Sequence, residues 1–140
     1  MTELCIDTSA FTTVALVSEG EVLSRASDDS TRRHAEDITV LVREALEKAG
    51  LPPEAARAGL DRVNVGTGPA PFTGLRAGLV SARVIGRAAS IPVYGASSLD
   101  LLARAALDLL PPETSVIAIS DARRKELYWR RYLADGSPAG

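Results

Sequence analysis

The segment Gly66-Thr67-Gly68-Pro69-Ala70-Pro71-Phe72-Thr73-Gly74 limits what this chain can fold into more than any other. It joins a short β-branched run, Arg62 to Val65, to a long apolar run, Leu75 to Ala89. The first has strand length and the second helix length. A strand, a glycine-rich loop and a helix in that order need a sheet for the helix to lie on, so the chain reads as α/β. A helix N-terminus behind such a loop offers free N–H groups to an anion. It is not a Walker loop, because no Gly-Lys-Ser/Thr follows. Within the helix, Gly78, Ala82 and Gly86 fall four apart and make a row of small residues on one face. Two glycines inside a helix each cost about 1 kcal/mol against alanine, so close packing must compensate. That packing is against the chain's own sheet or against another subunit, and a helix apolar nearly all round allows both.

The rest of the chain alternates in the same way. Leu4-Cys5-Ile6 reads as a buried strand ending at Asp7, Thr12 to Val17 as a second strand and Glu21 to Ser27 as a third, with turns at Thr8-Ser9-Ala10 and Ser18-Glu19-Gly20. Asp28-Asp29-Ser30-Thr31 is rich in N-cap residues. The spacing of Ile38, Leu41, Val42, Ala45, Leu46 and Ala49 then predicts an amphipathic helix over about Arg33 to Ala49, closed by Gly50. Ile91 to Tyr94 reads as a strand, Ser97-Ser98 as the cap of a helix from Leu99 to about Leu110, and Pro111-Pro112 as a boundary.

Beyond it the opening plan recurs. Val116 to Ser120 is a strand ending at Asp121, Arg123-Arg124-Lys125 a polar turn, Glu126 to Leu133 a return strand, and Asp135-Gly136 another turn. This is an internal structural repeat. Residues 1–112 are expected to form one domain, and residues 113–140 the first hairpin of a truncated second domain of the same plan. A lone two-stranded hairpin is marginal in water, so it is expected either to pack on the first domain or to belong to a longer protein.

Composition narrows the function classes. A net charge of −2 does not fit a protein that wraps nucleic acid by bulk charge. The single cysteine, Cys5, excludes an intramolecular disulfide and reads as a small buried hydrophobe. No stretch has the ~18–20 uncharged apolar residues of a membrane span, and Glu3 and Asp7 stand where a signal peptide would be basic and then apolar. The expectation is a cytoplasmic protein. His34 is the only histidine, so a paired-histidine metal site is excluded by count, and no serine or cysteine sits in a nucleophile–base motif. His34 reads as a surface or interface residue. A strand ending in Asp7, followed by Thr8-Ser9 and a return strand, resembles the phosphate-facing hairpin of actin-like ATPases and sugar kinases. The turn lacks their glycine, so Asp7 is equally a residue that organises its own turn.

The Gly66–Leu79 segment is similar to the G-x-G-P-G-S-F-T-G-L-R-x-G signature of the TsaB (YeaZ) family. The resemblance extends to Ile6-Asp7-Thr8-Ser9, to Val14-Ala15-Leu16-Val17 with Gly20-Glu21-Val22, to Ile91-Pro92-Val93 with Ser97-Ser98-Leu99, and to Asp121-Ala122-Arg123-Arg124 with Glu126-Leu127-Tyr128-Trp129, in the family's order. One departure is Ala70-Pro71, where the family has Gly-Ser. Proline removes an N–H and fixes φ, which weakens any phosphate contact by this loop.

The resemblance implies an actin-like (ASKHA, ribonuclease-H-like) fold, a mixed sheet flanked by helices. It implies a non-catalytic partner that binds and activates TsaD, the subunit that places threonylcarbamoyl on adenosine 37 of tRNA. TsaD carries an H-x-x-x-H metal motif, and an approximate alignment puts Ala96 and Asp100 at its positions here. The implied partners are TsaD in a heterodimer, the ATPase TsaE, tRNA through the complex only, and a second copy when TsaD is absent. The contact is expected on the first two long helices, at His34, Ile38, Val42, Ala45, Arg76, Gly78, Ala82 and Gly86. The implied phosphate or nucleotide loop is Asp7, Thr8, Ser9, Gly68, Thr73 and Gly74. No cofactor is expected of the chain itself, with ATP or ADP only at the contact with TsaD. Arg123, Arg124, Lys125, Arg130 and Arg131 read as a solvated hairpin or as contacts to tRNA phosphates. The alternatives are an actin-like small-molecule kinase or ATPase, which would need glycines in both phosphate loops, and a ribonuclease-H-like nuclease, for which Glu36 and Asp100 form no convincing carboxylate pattern.

Overall fold

The computed structural model describes residues 1–9, 11–28, 34–69 and 72–139. Strands β1 (Thr2–Asp7), β2 (Thr12–Ser18) and β3 (Glu21–Asp28) form the opening meander. Helix α1 (His34–Lys48), β4 (Arg62–Gly66), α2 (Phe72–Ala89) and β5 (Val93–Ala96) follow. The sheet order is β3-β2-β1-β4-β5, antiparallel between β1, β2 and β3 and parallel between β1, β4 and β5. A strand turns alternate side chains to opposite faces. Register therefore stacks Leu4 beside Leu16 and Val63, and Ile6 beside Val14 and Val65, all on one face and all buried.

Helices α1 and α2 cover that face. Ile38, Leu41, Val42, Ala45 and Leu46 of α1 and Ala82 of α2 join the strand residues in one core. Each fully buried large aliphatic contributes about 1.5–3 kcal/mol. Both helices end on a left-handed residue whose successor reaches back to the preceding turn. Gly50 has φ 74°, and Leu51 N–H donates to Leu46 O at 2.9 Å. Ser90 has φ 56°, and Ile91 N–H donates to Gly86 O at 2.9 Å. These bonds satisfy carbonyls that a helix C-terminus leaves open.

Some boundaries differ from the sequence reading. Helix α2 starts at Phe72, before Leu75, and β5 starts at Val93 because Ile91 is spent on the end of α2. Helix α3 (Ser98–Leu107) stops short of Leu110, with Leu109 and Leu110 in tighter bonds to Ala106 and Leu107 before the prolines. The predicted N-cap segment of α1, Asp29 to Thr31, and Arg33 lie outside the described residues.

The last hairpin, β6 (Val116–Arg123) and β7 (Glu126–Tyr132), is a separate two-stranded sheet. It packs on α3. Leu99 and Ala103 meet Ala118 and Tyr132, with Val116 and Tyr128 at the margin. The Tyr132 hydroxyl donates to the Asp100 carboxylate, and Arg130 Nη1 stands 3.8 Å from the same oxygen. Among the described residues no helix is long and apolar enough to cross a membrane.

Candidate functional site

Of the predicted phosphate-loop residues, Asp7 pairs with Ser9 and Thr8 with Gly74 at the C-terminal end of β1, while Gly68 bonds Ser98. Asp7 Oδ1 accepts the Ser9 N–H at 2.7 Å, which closes the turn after β1. The same carboxylate lies over Gly66, where an added Cβ would stand 2.7 Å from Asp7 Cγ. Thr8 is buried, and its hydroxyl donates to the Gly74 carbonyl at 2.7 Å. Gly68 sits at φ 87°, where a side chain is strained, and its carbonyl accepts the Ser98 N–H at 2.7 Å. The Thr73 side chain and the Ala70-Pro71 departure lie outside the described residues. Asp7 and Thr8 thus each spend an oxygen on internal bonds. Among the described residues no group of three His, Cys, Asp or Glu side chains is placed to hold a metal.

Beside Asp7, on the sheet face away from α1 and α2, lies a cavity of about 300 Å³. Cys5, Ala15, Asn64, Tyr94 and Leu101 line it. Cys5 is therefore not in the core, as the sequence suggested, but half-buried on the opposite face of β1. Burial raises its thiol pKa above the ordinary value, and the nearby Asn64 amide partly opposes that shift. A thiol held protonated is a poor nucleophile. Arg62 is neutralised by Glu3 at 2.6 Å and rests over the Tyr94 ring at 5.5 Å. That ion pair sits at the starts of β1 and β4, away from Asp7, and none of the described residues lining the cavity is a cation.

Ile38, Val42 and Ala45 of α1 and Gly78, Ala82 and Gly86 of α2, expected at an interface, are all buried within the chain, and of these Ile38 and Val42 also wall a groove between the helices. Gly78 abuts Thr8 and Gly86 abuts Val93, so the row of small residues serves the chain's own sheet. Arg76 is exposed, and the His34 side chain lies outside the described residues. What the two helices present outward is Val40, Val80 and Val84, exposed by 64%, 50% and 62%. The two on α2 are one turn apart. They stand beside a groove of about 390 Å³ whose walls include Ile38, Val42, Ala55 and Ile85. Sequence reasoning missed these valines because an apolar period does not say which of two apolar stripes is covered. The cue was the arginines: Arg76, Arg83 and Arg87 share the outward side of α2 with them.

A five-stranded mixed sheet flanked by helices, with this loop cluster at its strand ends, defines an actin-like protein. The ROK hexokinase of Thermus thermophilus shares the fold at a TM-score of 0.56, with 14% identity over 99% of this chain and 49% of that one. The family model described as TsaD, tRNA N6-adenosine threonylcarbamoyltransferase, matches residues 22–138, and the chain belongs to that family. Within it, relatives and structures carrying the names TsaB and YeaZ support a TsaB/YeaZ assignment. YeaZ from Pseudomonas aeruginosa aligns with a TM-score of 0.84 and 34% identity, over 99% of this chain and 64% of that one. The Haemophilus influenzae tRNA threonylcarbamoyladenosine biosynthesis protein TsaB is 34% identical over 96% of this chain and 55% of its own length. An uncharacterized Mycobacterium tuberculosis protein is 42% identical over 94% of this chain and 59% of its own length. The chain thus spans between a half and two thirds of these relatives.

Proposed function

We propose that this chain acts in tRNA threonylcarbamoyladenosine biosynthesis as a non-catalytic subunit that binds TsaD and activates it. The observation that carries this reading is the apolar groove between α1 and α2, flanked by the exposed Val80 and Val84. A groove between two helices accepts the apolar face of another helix. The same patch used twice would pair two copies when TsaD is absent, since an isologous contact needs only one self-complementary surface. The internally bonded Asp7 and Thr8 support a scaffold role for the loop cluster. The chain itself then needs no cofactor, and TsaE and tRNA meet it only within the assembly, in the cytoplasm.

Light scattering on a sizing column tests the reading, with the chain alone and then with TsaD. A stable complex with TsaD that Val84→Arg weakens supports it. No complex, or a complex indifferent to both Val80→Arg and Val84→Arg, overturns the proposed surface.

A further inference from the structure

We infer that the helix received by the α1–α2 face is an acidic one, its apolar side entering the groove and its carboxylates meeting Arg76, Arg83 and Arg87. This rests on the partner-subunit reading above and names the chemistry of the surface that docks. On a helix of 3.6 residues per turn, Arg76, Val80, Arg83, Val84 and Arg87 fall in one outward stripe, and all five are exposed. Val80 and Val84 wall the groove with Ser81 and Ile85, opposite Ile38 and Val42 of α1. The three arginines line none of it. They stand as a row beside the valines, on the side away from α1. The closing hairpin packs on α3 and leaves this face clear.

The row serves nothing within the chain. Helix α2 holds three arginines and no Asp or Glu. Among the described residues none of the three has an ion-pair partner. Arg83 and Arg87 are one turn apart, and like charges at that spacing weaken a helix slightly. The described carboxylates near the groove are engaged or lie on its other wall. Glu54 pairs with Arg57 at 3.3 Å and Glu44 with Lys48 at 3.0 Å, while Glu47 is exposed on α1 one turn from Arg43. In a chain of net charge −2 the row is a local excess of the opposite sign. Arginine takes a carboxylate through two parallel hydrogen bonds and is enriched at interfaces. A helix laid along α2 meets all three if its carboxylates recur one and two turns apart. A second copy is the poorer occupant, because it sets arginine row against arginine row, and like charges across an interface are costly.

Two synthetic amphipathic helices with the same leucine stripe are titrated against the chain, one flanked by glutamates and one by lysines. TsaD is titrated in parallel at about 50 mM and about 500 mM salt. The glutamate helix is expected to bind about ten-fold more tightly than the lysine helix, although the net charge of the chain favours the reverse. Arg83→Glu with Arg87→Glu should invert that order, and Arg83→Gln with Arg87→Gln, which adds no charge, should abolish it. The TsaD complex should weaken about ten-fold at the higher salt, and by as much in the Glu variant. Equal binding of the two helices, or a TsaD complex indifferent to salt and to both variants, overturns the acidic partner. Self-association of the chain that weakens as salt rises also overturns it, since the row would then meet carboxylates of a second copy. The two readings fail separately. A TsaD complex that ignores the arginines sinks only the acidic partner, and a glutamate preference with no TsaD complex sinks only the TsaD reading.

Discussion

Thr8 occupies the space that a side chain on Gly78 would need. An added Cβ at Gly78 would stand 2.5 Å from Thr8 Oγ1, and that hydroxyl is held in place by its bond to the Gly74 carbonyl. The first turn of α2 is thereby locked to the end of β1.

Gly78→Ala is expected to destabilise the chain, although alanine is the better helix former by about 1 kcal/mol. Thr8 is buried and bonded and cannot swing away, so the net loss is expected at about 1–3 kcal/mol. Chemical denaturation checks this. Thr8→Ala combined with Gly78→Ala should cost less than the sum of the two single changes, because the clash disappears with the hydroxyl.

Ser90 gives the opposite case. It ends α2 at φ 56°, with its N–H donating to Arg87 O at 3.3 Å. Ser90→Gly keeps that bond and removes the penalty of a Cβ in left-handed backbone. A gain of about 0.5–1 kcal/mol is expected in the same assay.

Tyr132 links stability to alkaline pH. Burial first, and then the hydrogen bond to Asp100, push its phenol up from the usual 10 to about 12. The folded state therefore favours the protonated form. That contribution is fully present below pH 10 and is lost as pH rises from 10 to 12. Melting temperatures measured across this window should fall, and Tyr132→Phe should fall less steeply. At neutral pH Tyr132→Phe should cost about 1.5–3 kcal/mol, the worth of a hydrogen bond to a charged acceptor.

Val84→Arg should leave the melting curve within about 0.5 kcal/mol of the parent, because the side chain is 62% exposed. The same change should weaken binding to TsaD about ten-fold or more. A lost melting transition would instead mean that the residue supports the fold.

Much of the fold was legible in the residues. The alternation of Leu4, Ile6, Val14 and Leu16, and the three-and-four spacing of Ile38, Leu41, Val42 and Ala45, carry period 2 and period 3.6 plainly. The repeated strand ending in Asp7 and in Asp121 gave both hairpins. The candidate site was legible only in part. Asp7 bonds Ser9 within its own turn, but Gly68 bonds Ser98, and Thr8 turned inward to bond Gly74, a pairing across the fold that no local pattern encodes. On the helices, Gly78, Ala82 and Gly86 and the stripe of Val80 and Val84 are both apolar, so periodicity could not rank them.

Sequence alone therefore determined the order of elements, the α/β class, the family resemblance and the exclusion of a paired-histidine metal site. These follow from local propensity, spacing and residue count, which the chain carries wherever it folds. Tertiary structure alone decided which stripe of each helix was covered, and that α3 meets the last hairpin through Tyr132 and Asp100. Those outcomes depend on which neighbour fills the space beside a residue, and neighbours distant in sequence are chosen only when the sheet and its helices close on a common core.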